Sequence, residues 1–272
     1  EAAGLLTADE DARPLAGGAT LVAMMNAELI EPTALVSLRR IASLNGISVT
    51  SDGTVTVGAM TTHHAIAKSE VLDCGQEIVC HAARVIGHPA IRNMGTIGGS
   101  ISHADPAADY PAALVAANAT IETFGLAGMR DIRAEDFFVD FLETSLEQGE
   151  LVSAVRFPPS SQGTTSAYEK FARVDGDFAT LSVAVVVGME TNTCSQIRVS
   201  LGSAGPAPVR ADAADAALVG TELNDDAVSA AATILIEASD PLDDVRGSAQ
   251  YRMMLVPELL RRAISSAREV RS

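Results

Sequence analysis

The chain has 272 residues, of which 19 are Lys or Arg and 35 are Asp or Glu, so its formal net charge is −16. This acidic balance argues against a surface built for nucleic acid or an anionic membrane, because both require clustered basic side chains. With 47% hydrophobic and 20% charged residues, the chain is long and apolar enough to bury a globular core. The longest bulky apolar run, Val183 to Val187, is far shorter than the roughly 18 residues of a membrane span, so we expect a soluble protein.

The cysteine content and the chain start indicate the cellular compartment. Cys74, Cys80 and Cys194 are scattered in a way that matches no disulfide set, zinc site or iron–sulfur framework. This usage is typical of a reducing compartment, so we expect a cytoplasmic protein. The chain starts at Glu1 without a basic or apolar leader, which predicts no signal peptide. Residues 2–6 are typical of the end of a helix, and we expect residues before Glu1 to be absent from this copy.

Short strands alternate with helices along the first half of the chain. Residues 13–16 predict a strand ended by a Gly-Gly pair, and the apolar spacing over residues 20–29 predicts a helix ended by Pro32. Residues 34–38 predict a second strand, and residues 47–57 predict a hairpin around an Asp-Gly turn. The further elements predicted by the same rules are a helix over residues 76–86 and strands over residues 119–124 and 150–157.

A Pro/Ser/Gly/Thr-rich stretch at residues 158–165 predicts a boundary between a domain over residues 1–160 and another over residues 161–272. The second domain contains strand-like and helical patterns. They are strands over residues 167–172, 179–189 and 196–203, and helices over residues 225–238 and 248–270. Ser248 is the predicted N-cap of the last helix. These patterns are typical of a small antiparallel sheet backed by helices, which places the chain in the α+β class.

The segment from Leu15 to Leu21 joins a predicted strand to a predicted helix through Gly17 and Gly18. Small residues let backbone N–H groups approach an anion closely, and the start of a helix adds partial positive charge. Thr20 adds a hydroxyl donor. At a net charge of −16 the whole protein does not attract a phosphate, so local donors have to hold it. The alternative is a tight turn without a ligand.

Residues 93–109 combine three glycines, three hydroxyls, one histidine and two carboxylates in a segment that we predict to be an irregular loop. Long polar loops inside compact domains are usually functional. Donors from Thr96 to Ser100 suit a second face of a pyrophosphate, and Asp109 suits the hydroxyls of a ribityl or ribose group. The alternative is a large surface loop built from Asx turns.

The chain contains no recognisable Rossmann, P-loop, metal or nucleophile motif. Because no Gly-x-Gly-x-x-Gly opens a βαβ unit and no Gly-Lys-Ser/Thr P-loop occurs, a bound dinucleotide would be held without a Rossmann fold. Cys80 and His81 are adjacent on a predicted helix and point in different directions, which argues against a metal site. No Ser/His/Asp or Cys/His set has a known spacing, so we predict neither a metal ligand nor a catalytic nucleophile.

Further motifs accompany the two glycine turns along almost the whole chain. They are Val57-Gly58-Ala59-Met60-Thr61-Thr62-His63, Ile91-Arg92-Asn93, Glu150-Leu151-Val152-Ser153, Tyr168-Glu169-Lys170-Phe171-Ala172-Arg173 and Arg246-Gly247-Ser248-Ala249-Gln250-Tyr251-Arg252. In this order the sequence resembles the FAD-binding medium subunit of the molybdenum hydroxylases, the family of the carbon-monoxide and xanthine dehydrogenases. The resemblance implies a PCMH-type FAD-binding domain over residues 1–160, with α/β subdomains of about 1–47 and 48–160. It also implies a C-terminal domain over residues 161–272 with a three-stranded antiparallel sheet and a helix bundle.

The resemblance also implies which residues bind FAD. Those that would wrap its pyrophosphate are Ala16, Gly17, Gly18, Ala19, Thr20, Leu21, Thr96, Ile97, Gly98, Gly99 and Ser100. Those that would line the ribityl chain and the adenosine half are Ser102, His103 and Asp109. Val152 stands where an apolar residue packs on the flavin, and Thr61 lies on a loop beside it. Lys170 matches a lysine near the isoalloxazine ring, where a cation would stabilise reduced, anionic flavin.

By the same resemblance, the chain transfers electrons and has no substrate-oxidising residues of its own. A large partner subunit carries a molybdopterin cofactor, and a small one relays electrons through two [2Fe–2S] clusters. FAD in this chain passes the electrons to a final acceptor, which is oxygen, NAD or a quinone. Because three cysteines cannot ligate even one Cys₄ cluster, the relay must lie on another chain. We expect a dimer of heterotrimers with no nucleic acid and no membrane span.

Two alternatives remain open at this point. The chain could be a stand-alone PCMH-type flavin oxidase that oxidises its own substrate, although its C-terminal part is small for a substrate domain. It could also be a flavin-free binding module, which predicts a colourless protein. By the resemblance, the large subunit chooses the substrate.

Overall fold

Helices and short strands alternate through the first half of the chain, and longer elements follow. The computed structural model describes residues 1–161 and 163–269. Its helices are α1 (Ala2–Ala8), α2 (Leu21–Asn26), α3 (His63–Ala67), α4 (Ile78–Val85), α5 (Pro89–Met94), α6 (Ile97–His103), α7 (Asp109–Ala116), α8 (Ala134–Phe137), α9 (Asp212–Leu218), α10 (Asp225–Glu237) and α11 (Ala249–Glu269). Its strands are β1 (Arg13–Leu15), β2 (Leu35–Ser37), β3 (Ile47–Val49), β4 (Val55–Gly58), β5 (Thr120–Gly125), β6 (Gly128–Arg133), β7 (Phe138–Asp140), β8 (Glu143–Thr144), β9 (Leu151–Phe157), β10 (Thr164–Phe171), β11 (Leu181–Glu190) and β12 (Thr193–Gly202). The predicted α+β class is confirmed, and no helix among the described residues is long and apolar enough to cross a bilayer.

Residues 13–37 form a small β–α–β unit. β1 and β2 pair in parallel, which requires a crossover connection between them, and α2 lies in that connection. Gly18 lies in the turn between β1 and α2 with φ +81°, a conformation that glycine adopts without a steric penalty. The helix predicted over residues 20–29 is shorter than expected. It ends at Asn26, and Glu28 then takes a left-handed φ of +55°.

A five-stranded antiparallel sheet follows, with the strand order β3-β4-β9-β5-β6. Alternate residues of its central strands are fully buried, among them Val55, Val57 and Val155. These side chains share one apolar core with α4 and α7. Every residue of α7 is buried because this helix also packs against β11 and β12. Helix α7 therefore joins the two halves of the protein.

The glycine-rich segment over residues 93–109 is helical for most of its length, so the predicted irregular loop is wrong. Thr96 is the N-cap of α6, and its Oγ1 accepts a hydrogen bond from the Gly99 N–H at 3.2 Å. Small residues let α6 lie against the end of β4. An added Cβ on Gly98 would lie 2.6 Å from the Ala59 Cβ, which is too close for any residue larger than glycine. The glycines here serve the close packing of a helix, and composition alone does not distinguish that role from a loop.

The C-terminal part is a three-stranded antiparallel sheet covered by helices, as predicted. β10, β11 and β12 pair in chain order, and Val183, Val185 and Val187 of β11 share a core with α9, α10 and α11. Ser248 caps α11 as expected, since its Oγ accepts the Tyr251 N–H at 3.2 Å. The predicted end of this helix at residue 270, and residues 162, 271 and 272 of the predicted domain, lie outside the described residues.

Candidate functional site

Two glycine-rich segments, which we call the first and second glycine turns, lie against each other although they are far apart in the sequence. The first spans residues 16–20, and the second spans residues 95–100 at the start of α6. Gly17 packs on the backbone at Met94, where an added Cβ would overlap the Met94 carbonyl oxygen. A Cβ added to Gly99 would lie 3.6 Å from the Ala16 Cβ. Only glycine admits so close an approach of two backbones. The fold therefore brings both predicted turns to one place.

Both turns line a cavity of about 540 Å³, a volume within the range of roughly 300–1,000 Å³ found for small-molecule and cofactor sites. Most of the residues predicted to bind FAD line it. They are Ala16, Gly17, Gly18, Ala19, Thr20, Leu21, Thr96, Gly98, Gly99, Ser100, Ser102, His103, Asp109 and Val152. Three predicted residues, Thr61, Ile97 and Lys170, lie outside this lining.

The first turn lines the cavity and has free backbone donors. The N–H groups of Gly17, Gly18, Ala19 and Thr20 donate to no acceptor in the described part of the chain. Backbone N–H groups that lack a protein acceptor require another one, and successive N–H groups in a turn form a concavity suited to an anion. This turn can therefore hold phosphate oxygens without any cationic side chain.

The hydrogen-bond donors of the second turn are only partly the ones that were predicted. The N–H groups of residues 97–100 are already used inside the protein; for example, that of Gly98 donates to the Ala59 carbonyl at 2.8 Å and that of Ser100 to the Thr96 carbonyl at 3.0 Å. The Thr96 N–H donates to no acceptor among the described residues. The hydroxyls of Ser100 and Ser102 have no hydrogen-bond partner among the described residues, and both side chains line the cavity. This turn therefore contributes hydroxyl donors and one backbone donor, at Thr96, whereas the first turn contributes four backbone donors.

Thr61 and Ile97 support the cavity from behind. Thr61 is buried, and its Oγ1 donates to the Gly46 carbonyl at 3.0 Å and accepts the Gly46 N–H at 3.0 Å. Ile97 belongs to the central apolar core, and its N–H donates to the Thr61 carbonyl at 3.1 Å. Both residues hold α6 in place against the end of β4.

A buried ion pair joins the cavity wall to the C-terminal sheet. The Lys170 Nζ donates to the Asp109 Oδ2 at 3.0 Å and to the Val85 carbonyl at 3.1 Å, and the Tyr168 hydroxyl donates to the Asp109 Oδ1 at 2.8 Å. Burial raises the pKa of Asp109, while Lys170 and Tyr168 act to lower it. The carboxylate predicted to receive ribityl or ribose hydroxyls is thus already hydrogen-bonded within the protein.

Some cavity residues were missed by sequence reasoning. They include His63, Ile86, Asp105, Leu142 and Phe178. Asp105 is the more available carboxylate, because only one of its oxygens is used, by the Ala107 N–H at 2.8 Å. The two acidic residues of the same segment differ in burial, which the sequence does not reveal. The apolar members come from distant segments, and no local pattern indicates that they meet.

His63 is a buried histidine on the cavity wall, and we predict a stability loss in acid from it. Its Nδ1 is 3.1 Å from the Tyr110 hydroxyl, and burial, assisted by the charge of Arg92, lowers its pKa to about 4. In the unfolded chain its pKa is about 6.5. As the pH falls, the unfolded state therefore takes up a proton at a higher pH than the folded state does. The contribution of His63 to the free energy of unfolding is fully present above pH 6.5 and is lost as the pH falls towards 4. The loss is about 3 kcal/mol.

The test compares His63→Gln with His64→Gln, which removes an exposed neighbouring histidine from the same helix. Urea unfolding at pH 7 and at pH 4 gives the free energy of unfolding of each variant. We expect His63→Gln to lose less stability between these pH values than the wild type, and His64→Gln to follow the wild type. Equal losses for all three proteins would contradict the assignment.

The profiles of known families match both parts of this chain. Residues 1–160 match the FAD binding domain in molybdopterin dehydrogenase, and residues 166–267 match the CO dehydrogenase flavoprotein C-terminal domain. Fold and cavity thus define an FAD-binding oxidoreductase component. The chain belongs to the family of FAD-binding domains of molybdopterin dehydrogenases, which confirms the resemblance seen in the sequence.

Individual relatives are similar over nearly their whole length. The carbon monoxide dehydrogenase medium chain of Afipia carboxidovorans is 39% identical over 270 residues, which are 98% of this chain and 93% of the relative. The nicotine 6-hydroxylase medium subunit of Paenarthrobacter nicotinovorans is 35% identical over 267 residues, with 98% and 93% covered. A chain of the Cu,Mo-CO dehydrogenase crystal structure matches with a TM-score of 0.94 and 39% identity, over 98% of this chain and 93% of that chain.

The residues that line the cavity fit FAD. The free N–H groups of residues 17–20 and the Ser100 and Ser102 hydroxyls are donors of the kind that diphosphate oxygens accept. Apolar residues such as Ile86 and Val152 suit a flat aromatic ring system. Both the donors and the apolar wall that a flavin dinucleotide needs are therefore present in one cavity.

Proposed function

We propose that this chain is the FAD-binding subunit of a heteromeric molybdenum hydroxylase and transfers electrons from partner [2Fe–2S] clusters to a final acceptor. The observation that carries this proposal is the meeting of two glycine turns around one cavity with free backbone donors. When bound, FAD exchanges electrons singly or in pairs, which no amino-acid side chain of this cavity does. The chain's own residues bind, orient and shield it.

The binding roles are divided between the two turns. Residues 17–20 of the first turn hold phosphate oxygens through backbone N–H groups, and Ser100 and Ser102 of the second turn add hydroxyls. Val152 packs on the flavin ring, and Asp105 accepts hydrogen bonds from ribityl or ribose hydroxyls. His103 lines the adenosine half. Lys170 acts on the flavin through Asp109, since its ammonium lies behind the cavity wall.

The partners we propose are a large subunit with a molybdopterin cofactor and a small subunit with two [2Fe–2S] clusters. The relatives' names, medium chain and medium subunit, support a complex of this kind. All three cysteines of this chain are free, and the described residues hold no group of His, Cys, Asp or Glu suited to a metal ion. We place the complex, a dimer of heterotrimers, in the cytoplasm.

The relatives favour this subunit over a stand-alone flavin oxidase. They are named as parts of carbon monoxide dehydrogenase and of nicotine 6-hydroxylase, with identities of 39% and 35% to this chain. Because similar medium subunits serve such different substrates, substrate choice belongs to the large subunit rather than to this chain.

Purification of the native protein under mild conditions tests this function. We expect a flavin absorption spectrum, with molybdenum and iron migrating together with this chain through size-exclusion chromatography. The isolated chain should keep FAD but should not be bleached by candidate substrates alone. Substrate-dependent bleaching of the isolated chain would support a stand-alone oxidase instead. A colourless protein that takes up no added FAD would refute flavin binding altogether.

A further inference from the structure

A second recess of about 570 Å³ lies beside the FAD cavity. One wall comes from residues 84–92 and the other from residues 170–176. The walls meet where Gly176 packs on Gly87, since an added Cβ on Gly176 would lie 2.8 Å from the Gly87 carbonyl oxygen. The charged and titratable side chains that line this basic recess are Arg84, His88, Arg92, Lys170, Arg173 and Asp175.

Arg92 is the cation of the basic recess that has no carboxylate partner among the described residues. The others are paired, Arg84 with Glu77, Lys170 with Asp109 and Arg173 with Asp177. The Arg92 Nη1 donates to the carbonyls of Ile86 at 3.0 Å and Gly87 at 2.6 Å. These bonds fix the guanidinium and leave Nε and Nη2 without an acceptor in the described part of the chain.

A guanidinium that is held in place and keeps free N–H groups is a typical ligand of oxyanions. Basic side chains reach the recess from both walls, His88 and Arg92 from one and Arg173 from the other. An anion between them has to offer oxygens in several directions. A tetrahedral phosphate does so, whereas a planar carboxylate offers two oxygens in one plane.

We propose that the basic recess binds a phosphate group, with Arg92 as its central ligand and His88 and Arg173 as flanking donors. Asp175 is exposed at the same recess and opposes anion binding. This site goes beyond the proposed function, because the phosphates of FAD are assigned to the glycine turns. The phosphate is either free or part of a nucleotide.

Arg92 also links the basic recess to the FAD cavity. Ile86, whose carbonyl holds Arg92, lines that cavity. The charge of Arg92 is the second cause, after burial, of the lowered pKa of His63, which lines the cavity as well. A phosphate bound at Arg92 offsets part of this charge and therefore changes the electrostatic environment of the cavity.

Calorimetric titration of the FAD-loaded chain with inorganic phosphate, and separately with ADP, tests the proposal. Loading with FAD fills the cavity between the glycine turns, so ADP has to bind elsewhere. Sodium chloride at matched ionic strength controls for screening. Arg92→Gln removes the central ligand, and Arg262→Gln on α11 is the matched control, because it removes one exposed arginine far along the chain.

We expect saturable binding in the wild type and in Arg262→Gln, and binding weaker by about tenfold or more in Arg92→Gln. Asp175→Asn should bind more tightly than the wild type. Tighter binding of ADP than of phosphate identifies a nucleotide as the source, and equal binding identifies free phosphate. No saturable binding beyond the chloride control, or equal weakening by both arginine substitutions, overturns the proposal. If Arg92→Gln does not fold, Arg173→Gln and Asp175→Asn test the proposal instead. Arg173→Gln should bind phosphate more weakly than the wild type, and Asp175→Asn should bind it more tightly.

Discussion

Gly18→Val will lower the affinity for FAD by about a hundredfold or more, equivalent to roughly 3 kcal/mol. Gly18 has φ +81°, where a side chain is strained, and its Cβ would lie 3.3 Å from the Val22 Cγ2 and 3.4 Å from the Leu15 Cδ1. A branched side chain would therefore distort the turn that lines the cavity and whose N–H groups have no acceptor among the described residues. The measurement is the flavin content of the purified variant and titration of the apoprotein with FAD.

Gly99→Val tests the second turn by a different mechanism. Gly99 lies within α6 without backbone strain, but its Cβ would come 3.1 Å from the Thr96 Oγ1 and 3.6 Å from the Ala16 Cβ. A larger side chain fills the gap between the turns, so we expect a comparable loss of FAD.

Gly220→Val is the matched control for backbone strain. Gly220 has φ +80°, an added Cβ would meet nothing within 4 Å, and it is not among the cavity residues. We expect this variant to lose about 1–2 kcal/mol of stability and to keep FAD. If Gly18→Val and Gly99→Val bind FAD like the wild type, the glycine turns are not the binding site. If Gly220→Val also loses FAD, the loss of FAD in the other two variants results from reduced protein stability rather than from a changed binding site.

The sequence predicted the first glycine turn and the three strands of the C-terminal sheet well, because these depend on local physics. A Gly-Gly pair after an apolar strand breaks regular structure, and β11 is apolar enough to predict a buried strand in any context. Composition failed at residues 93–109. There glycine and serine suggested a loop, whereas Thr96 caps a helix that needs small residues to approach Ala59. Such packing depends on a partner that lies far away in the sequence.

The site could be predicted as a set of residues but not as a set of interactions. The sequence placed Asp109 at the ligand, yet the fold pairs it with Lys170 and Tyr168, from a strand of the C-terminal sheet. The sequence also gave no reason to choose Asp105 over Asp109, because only the tertiary structure shows which carboxylate is buried and paired. The unpaired state of Arg92 is likewise visible only once its neighbours are known.

Lys170→Met will destabilise the protein by about 3–5 kcal/mol at neutral pH, because it leaves the buried Asp109 carboxylate without its counter-ion. Both side chains are nearly buried, at 8% and 6% exposure. The variant should still bind FAD, since Lys170 does not line the cavity. At pH values where Asp109 is ionised, the flavin potential of the variant should become more negative, because an uncompensated carboxylate then lines the cavity in which reduction adds charge. Unfolding titrations and spectroelectrochemistry measure the two effects.

The pH dependence distinguishes this charge effect from loss of packing. Without Lys170, burial raises the pKa of Asp109 further, so between pH 3.8 and this raised pKa the folded variant takes up a proton that the unfolded chain has lost. The variant's deficit should therefore shrink as the pH falls towards 3.8, the ordinary pKa of aspartate. Asp109→Asn combined with Lys170→Met removes both charges and should restore much of the stability and the potential. Lys68→Met, at an exposed lysine, should change neither. A deficit independent of pH, or a double variant no better than Lys170→Met, would show that the lysine acts through packing alone.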